Sequence, residues 1–544
     1  MNHTLNYKHA AALQLLGLSV MFLSILTAVS AGRSVTLPAK AVVKAPPPPK
    51  SAKPAAFVIG HIPASHPDAI VVVHNTLTLA NGKVLHYTVH TGYLPVTSKQ
   101  GKLQAKIFFI AYTKDMPADQ RANRPLTFCF NGGPGAGSLW LNLGCAGPMR
   151  LVLTPRGNIA PPPFRLKSNR QSWLRDTDLV FVDPVGTGFS QPAPGVPGGK
   201  FYGVSQDVQS VAKFIRLYVT MYKRWGSPTF LAGESYGTTR ACGLADYLSA
   251  HTGLALNGVI LISCALNFQI LEPSLGNDTP YPLFLPSYTA AAWYHHKLAP
   301  DLEKHFHKTL AAAEHFALHT YISALAKGSS LPRAEKLKVA ATLAKLTGLS
   351  KKFILLANLR VGPGTFEQAL LRDQRRVIGR MDTRLTGYNA HPTGGSASWD
   401  PAMSEFIAPF TSAFNQYVRQ DLHYSNDLPY KALAGIPWNF GPGGAGFLFV
   451  TDNLRNALIR DPYMHVLVCS GYFDLATPFF GTVYSMDHLN LSRRLQSHIK
   501  EVFFRGGHML YHPADMRKKL AREIHQFILS AAHQKAKHQH AGSL

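Results

Sequence analysis

The segment Gly233-Glu234-Ser235-Tyr236-Gly237 sets a serine between two glycines. It directly follows the apolar run Thr229–Ala232 and precedes a helical pattern that extends through Leu248. A strand turning this sharply into a helix has no room for a Cβ on either side, and it presents the serine hydroxyl at a helix N-terminus, as a nucleophile elbow does. A hydroxyl attacks a carbonyl carbon only when a base takes its proton. Two later residues can supply that service. Asp474 closes Cys469-Ser470-Gly471-Tyr472-Phe473-Asp474, just after an apolar stretch, and His508 stands in Arg505-Gly506-Gly507-His508-Met509, just after Val502–Phe504. The order serine, acid, histidine is the one that elbow hydrolases use. Asp474 would orient the imidazole and stabilise its cation, while His508 would act first as general base and then as general acid.

The negative charge that develops on an attacked carbonyl needs fixed donors. The backbone N–H of Tyr236, immediately after the nucleophile, is one. A second is expected from Asn131-Gly132-Gly133-Pro134-Gly135, a turn that follows the strand candidate Leu126–Phe130. Spacing alone allows either Gly132 or Gly133 to supply it.

These groups must sit at the carboxyl ends of strands, where open α/β sheets carry their sites. The strand candidates are Leu126–Phe130, Leu179–Val182, Thr229–Ala232, Gly258–Ser263, His465–Cys469 and Val502–Phe504. They alternate with helical patterns, which predicts an α/β protein with a mainly parallel central sheet flanked by helices. Strand character nearly vanishes from about Asn267 to about Phe440, where patterns such as Leu310–Leu325 and Ala334–Leu346 are helical. The expected organisation is a hydrolase core over 57–267 and 441–531, interrupted by a mainly helical cap over 268–440. Outside it lie a signal over 1–31, a Pro/Ala/Lys-rich linker over 32–56 and a solvated His- and Lys-rich tail over 532–544.

The leader has one basic residue, Lys8, then an apolar stretch from Ala10 to Ala31 that ends in the small-residue site Val29-Ser30-Ala31. That pattern predicts export, to the periplasm or beyond, with cleavage after the small residues. The stretch is also long enough to serve as an anchor if it is kept. Pro46-Pro47-Pro48-Pro49 makes the following linker stiff and extended. The five cysteines, an odd number, predict buried free thiols rather than a disulfide framework.

Lys and Arg number 55 against 29 acidic residues, a formal charge of +26. The basic residues are scattered and no basic run interleaves with aromatics, so nucleic acid is not an expected partner. With few carboxylates to protonate, the chain is expected to tolerate acid. His295-His296 and the tail histidines lack metal-ligand spacing, and no phosphate loop stands between a strand and a helix. No metal or cofactor is expected.

Taken together, the motifs resemble the serine carboxypeptidases, a family of α/β-hydrolases. Asn131-Gly132-Gly133-Pro134-Gly135 resembles that family's N-G-G-P-G loop, and Asp183-Pro184-Val185-Gly186-Thr187-Gly188-Phe189-Ser190 its P-x-G-x-G-[FY]-S segment. Gly233-Glu234-Ser235-Tyr236 is similar to its G-E-S-Y elbow and Gly507-His508-Met509 to its G-H-M. Leu285-Pro286-Ser287-Tyr288, Trp293-Tyr294-His295 and Gly379-Arg380-Met381-Asp382-Thr383-Arg384 resemble the cap of its bacterial branch. The resemblance implies the α/β-hydrolase fold and an oxyanion donor at the Gly133 amide. It implies that Asn131, Gly132 and Glu234 bind the terminal carboxylate of a peptide or protein, and that Met509 helps form the leaving-group pocket. It also implies peptidase action favoured by acidic pH, through paired carboxyl groups sharing a proton.

The chain departs from the pattern at two positions. Cys129 stands where eukaryotic members carry Trp, and Gly144-Cys145-Ala146-Gly147-Pro148 has no acid where they carry a second glutamate. Arg150 and Arg240 are the basic residues that could contact an anion in its place. An esterase or acyltransferase using the same serine, aspartate and histidine is the competing enzymatic reading. A noncatalytic, basic envelope-binding protein is the competing reading of another class.

Overall fold

A computed structural model of the chain describes residues 69–395 and 399–538, with side chains up to residue 532. The predicted signal and linker lie outside the described residues. The strands in chain order are β1 (Val71–Thr78), β2 (Val84–Thr97), β3 (Leu103–Lys114), β4 (Leu126–Phe130), the antiparallel pair β5 and β6 (Met149–Leu151, Leu166–Ser168), β7 (Asp178–Val182) and β8 (Gln191–Pro192). They continue with β9 (Thr229–Ser235), β10 (Gly258–Cys264), the antiparallel pair β11 and β12 (Arg376–Ile378, Thr386–Tyr388), β13 (His465–Gly471) and β14 (Ile499–Phe504).

Ten strands form one sheet in the order β1-β2-β3-β7-β4-β9-β10-β13-β14, with β8 on the edge of β3. From β7 to β14 the pairing is parallel. β1, β2 and β3 add an antiparallel wing. The six strand candidates read from sequence are the six parallel strands. Buried on both faces, these read as unbroken apolar runs such as LTFCF and DLVFV. The wing was not among them: β1 is mostly exposed and the first half of β2 alternates exposed and buried residues, while β3, with the buried run Ile107–Tyr112, was missed although it reads like the parallel strands.

Alternate residues of each strand feed two cores. Cys129, Phe181, Phe230 and Cys469 face one core, closed by Phe410 and Phe414 of the helix Pro401–Gln416 and by Phe527 and Ile528 of the last helix. Phe128, Phe130, Val182 and Leu231 face the other, closed by the helices Val204–Met221, Tyr236–Thr252 and Thr451–Arg460. The segment 268–440 is divided. Its first part, from Pro280–Tyr294 to Pro363–Ala369, builds a third core with Phe473, Leu475 and Phe479 from just beyond β13. Its helix Pro401–Gln416 belongs to the first core instead. The last helix runs from Ala514 to His538, past the boundary drawn at 532 for the tail. All five cysteines are free and buried. No described helix is long and apolar enough to cross a membrane.

The strand order turns about β4: β7 lies on one side of it and β9 on the other. Connections leave β4 and β9 in opposite directions there and open a crevice at their carboxyl ends. The loop after β4 begins at Asn131, and β9 ends on Ser235.

Candidate active site

Ser235 is the last residue of β9 and the N-cap of the helix Tyr236–Thr252, with φ 60° and ψ −130°. A side-chain-bearing residue pays for this conformation, and such strain gathers at functional turns. Both neighbouring glycines are needed, because a Cβ on Gly237 would lie 2.5 Å from the carbonyl oxygen of Phe130, and one on Gly233 would strike the Gly237 carbonyl. The Tyr236 N–H belongs to the first turn of the helix, where backbone donors have no partner within the helix. Gly132 lies directly against it: a Cβ there would overlap the Tyr236 nitrogen and come within 2.8 Å of the Glu234 carbonyl oxygen. Gly133 has φ +96°. The loop after β4 and the elbow thus meet through backbone alone.

Two buried groups fix that loop. Arg240 pairs with Asp207 (Nε–Oδ2 2.7 Å) and donates to the carbonyl of Asn131 (2.8 Å). Its guanidinium therefore braces the loop from below, with Nη2 left without a hydrogen-bond partner among the described residues. The Ser138 N–H donates to Asp183 (2.7 Å), and Tyr430 reaches the same carboxyl oxygen at 3.3 Å. Burial raises the Asp183 pKa to about 7 against these hydrogen bonds. Arg150 spends one N–H on the Leu151 carbonyl and is half-buried.

Asp474 and His508 are brought together at full burial, His508 Nδ1 lying 2.8 Å from Asp474 Oδ2. Asp474 also accepts from the N–H groups of Ala476 (2.7 Å) and Thr477 (3.0 Å) and from the Thr477 hydroxyl (2.6 Å). That set of donors leaves the aspartate an acceptor and assigns the proton on Nδ1 to the imidazole. Burial pulls the His508 pKa down, but the charge and hydrogen bond of Asp474, together with the charge of Glu234, outweigh it and leave the pKa raised. His508 Nε2 has no hydrogen-bond partner among the described residues, so no hydrogen bond joins it to Ser235.

Several residues that hold this pair carry no sequence motif. Ser263, at the irregular end of β10 with φ 52°, donates to the His508 carbonyl (2.7 Å). The His508 N–H donates to the Met381 carbonyl (2.6 Å), the Leu475 N–H to the Arg380 carbonyl (2.9 Å) and the Thr383 N–H to the Phe473 carbonyl (2.9 Å). The segment Gly379–Arg384 is therefore a strap that ties the aspartate loop to the histidine loop. Its sequence had stood out as a motif, but only the fold gives it this task.

Beneath the elbow, Glu234 is buried and receives Asn131 Nδ2 on Oε1 (2.9 Å) and the Tyr511 hydroxyl on Oε2 (2.6 Å). The Asn131 amide cannot turn over without loss, because its oxygen accepts from the Leu141 N–H (3.0 Å). Burial raises the Glu234 pKa to about 7, opposed by the charge of His508 and by the two hydrogen bonds. Met509 is buried in the same core as Trp140, Cys145 and Tyr511. Among the described residues no cluster of three or more His, Cys, Asp or Glu is arranged to hold a metal ion.

A mainly parallel sheet with an elbow serine, and with an aspartate and a histidine after later strands, is the architecture of an α/β-hydrolase. The family model described as serine carboxypeptidase matches residues 80–341. A probable serine carboxypeptidase of Arthroderma benhamiae is 28% identical over 188 residues, which cover 30% of this chain and 32% of that protein. The pheromone-processing carboxypeptidase KEX1 of Saccharomyces cerevisiae is 29% identical over 162 residues, 27% of this chain and 20% of that one. Serine carboxypeptidase-like 46 of Arabidopsis thaliana is 25% identical over 216 residues, covering 36% and 42%. The alignments thus span less than half the length of these relatives. The crystal structure of the S. cerevisiae prohormone-processing carboxypeptidase superposes with a TM-score of 0.48 at 16% identity, covering 82% of this chain and 92% of that one. The chain is thus similar to serine carboxypeptidases, most extensively over residues 80–341.

Proposed function

We propose that this chain is an exported serine carboxypeptidase that releases residues from the carboxyl termini of peptides or proteins through an acyl-enzyme. Ser235 Oγ attacks the scissile carbonyl carbon as its proton passes to His508 Nε2. The oxyanion is held by the N–H groups of Gly133 and Tyr236. The tetrahedral intermediate collapses when His508 returns the proton to the departing amine, which leaves beside Met509. Water then attacks the acyl-enzyme, giving a proton to His508, and Ser235 leaves with it. Asp474 keeps the imidazole in the tautomer that makes Nε2 the base.

The observation that carries the peptidase reading is the Asn131–Glu234 pair buried beneath the nucleophile. An esterase acting on neutral esters has no use for it. A substrate carboxylate is repelled by ionised Glu234 but can accept from the protonated acid and from backbone donors of the Gly132 loop. With Glu234 titrating at about 7, the ratio of peptide to ester turnover rises as pH falls through neutrality. The strap Gly379–Arg384 and the helix that carries Leu285–Tyr288 support placing the chain with the bacterial branch.

The test offers a blocked dipeptide, its C-terminal amide and the methyl ester of the blocked amino acid across pH 4–9. Turnover of the free-acid dipeptide above its amide, in a ratio to the ester that grows toward acid, is expected. Turnover of the ester without either peptide would replace this reading with an esterase or acyltransferase.

A further inference from the structure

Glu234 meets a partner that the elbow alone does not call for. Tyr511 is fully buried three residues beyond His508, and its hydroxyl donates to Glu234 Oε2 at 2.6 Å. Its ring lies across Gly144, where an added Cβ would overlap ring carbon Cε2. A side chain at 144 and the tyrosine ring therefore exclude each other. The chain has a glycine in one place and a hydroxyl donor in the other, and the carboxyl group of Glu234 lies between this donor and Asn131.

We infer that Tyr511 is a positioning residue for carboxyl-terminal recognition: with its ring seated in the space left by Gly144, its hydroxyl orients Glu234 and controls how readily that acid keeps the proton it presents to a substrate carboxylate. This rests on the carboxypeptidase reading above. A hydroxyl donating to a carboxylate stabilises the charged form. Tyr511 thus works against burial, which favours the neutral acid. The other groups facing Glu234 are Asn131 on the loop after β4, Asp474 after β13, His508 after β14 and the Cys145 thiol beside Gly144, behind which lies Arg517. The His508 charge favours ionised Glu234 and the Asp474 charge opposes it. Tyr511 is the hydroxyl among them. One carboxyl group tuned by a tyrosine takes the place of two carboxyl groups sharing a proton, and its titration is coupled to that of His508 instead.

The sign of the effect separates this from a structural role. Without the hydroxyl, Glu234 loses a donor to its anion and keeps its proton to higher pH. In Tyr511→Phe the alkaline limb of turnover for substrates bearing a free carboxylate should move up by about one pH unit. The limb for the methyl ester should move much less. Gly144→Ala, which keeps the hydroxyl but displaces the ring, should move the same limb in the same direction. The substrate set adds a depsipeptide, in which an ester links the blocked amino acid to a leaving group that still carries the carboxylate.

If the wild type cleaves the depsipeptide but no peptide, the peptidase reading fails while the Tyr511 inference is still read from the depsipeptide limb. If the wild type does not distinguish the depsipeptide from the methyl ester, carboxylate recognition is absent and the inference fails. An equal loss on every substrate at every pH in both variants, with no movement of the limb, would reduce Tyr511 to packing and overturn it.

Discussion

Asp178, at the amino end of the parallel strands, and the acids of the candidate site, at the carboxyl end, are buried in opposite company. At the amino end, Asp178 opens β7 with no exposed surface and is gripped by Arg124 (2.7 Å) and Arg224 (2.6 Å), with the Lys114 N–H at 3.0 Å. Arg224 also donates to the Arg124 carbonyl (2.7 Å), which ties the starts of β4 and β7 to the turn ahead of β9. At the carboxyl end, Asp474 and Glu234 are as deeply buried, yet they have no guanidinium bound to them among the described residues. Their donors are amides, hydroxyls and one imidazole. Guanidinium groups hold their charge at every working pH, so this ionic grip does not come and go with pH through its cations. Neutral donors and a histidine leave protons free to move. The same sheet is clamped at one end and labile at the other.

Substitutions that strike the two ends should therefore fail in different ways. The largest effect is at the labile end. Ser235→Ala should lower kcat on the ester by on the order of 10⁵-fold or more, and His508→Ala by a similar factor, with the double variant little worse than either. Ser235→Ala should leave the denaturant midpoint nearly unchanged, whereas His508→Ala, which strips a partner from buried Asp474, should also lower it. Modification of a serine other than Ser235 by a fluorophosphonate probe would reject the assignment.

At the clamped end the loss should be one of stability. Arg224→Met leaves Asp178 with one partner in a dry site, and removing one member of a buried ionic group costs about 3–5 kcal/mol. Urea unfolding should show that loss, while the protein that remains folded keeps the wild-type pH profile. Replacing Arg124, Asp178 and Arg224 together by apolar residues of similar size should recover much of it. A single variant that changed the pH profile without loss of stability would break the contrast between the two ends.

A smaller effect is expected within the Asp474–His508 pair. Thr477→Val removes one of four donors to Asp474 and leaves the His508 hydrogen bond in place. A hydrogen bond to a charged group is worth about 1.5–3 kcal/mol, which bounds the fall in kcat to roughly 10- to 100-fold. Wild-type kcat in this variant would show that the backbone donors of Ala476 and Thr477 suffice.

This division also explains what was legible in the sequence. The elbow, the glycine loop and the acid and histidine after β13 and β14 were readable because each obeys a local rule: a turn that excludes side chains, or a polar residue at the end of an apolar run. The six parallel strands were readable for the same reason. Ser263, Thr477, Tyr511 and the Arg380 and Met381 carbonyls were not, since each acts on a residue that only the fold brings near. Cys145 showed that an acid was missing, but nothing local tied Gly144 to Tyr511. Of the antiparallel wing, β1 is mostly exposed and the first half of β2 alternates, but β3 carries the unbroken buried run Ile107–Tyr112 and was as legible as the parallel strands by the same rule. Arg240 was read as a candidate anion contact because its charge is visible in sequence and its partner Asp207 is not.

The subtlest test falls on the strap. Arg380 is exposed, and its charge lowers the pKa of His508 while Asp474 and Glu234 raise it. Its backbone makes the structural contacts, accepting from Leu475 and donating to Asp400 (3.1 Å), so Arg380→Gln alters the field and spares the scaffold. Without the cation His508 holds its proton more firmly, its basic form appears at higher pH, and the acid limb of ester turnover should move up. Because the guanidinium lies in solvent, the movement should be small, largest at low ionic strength and suppressed by salt. An acid limb that stays in place at low salt would mean that the labile end is governed only by its buried groups.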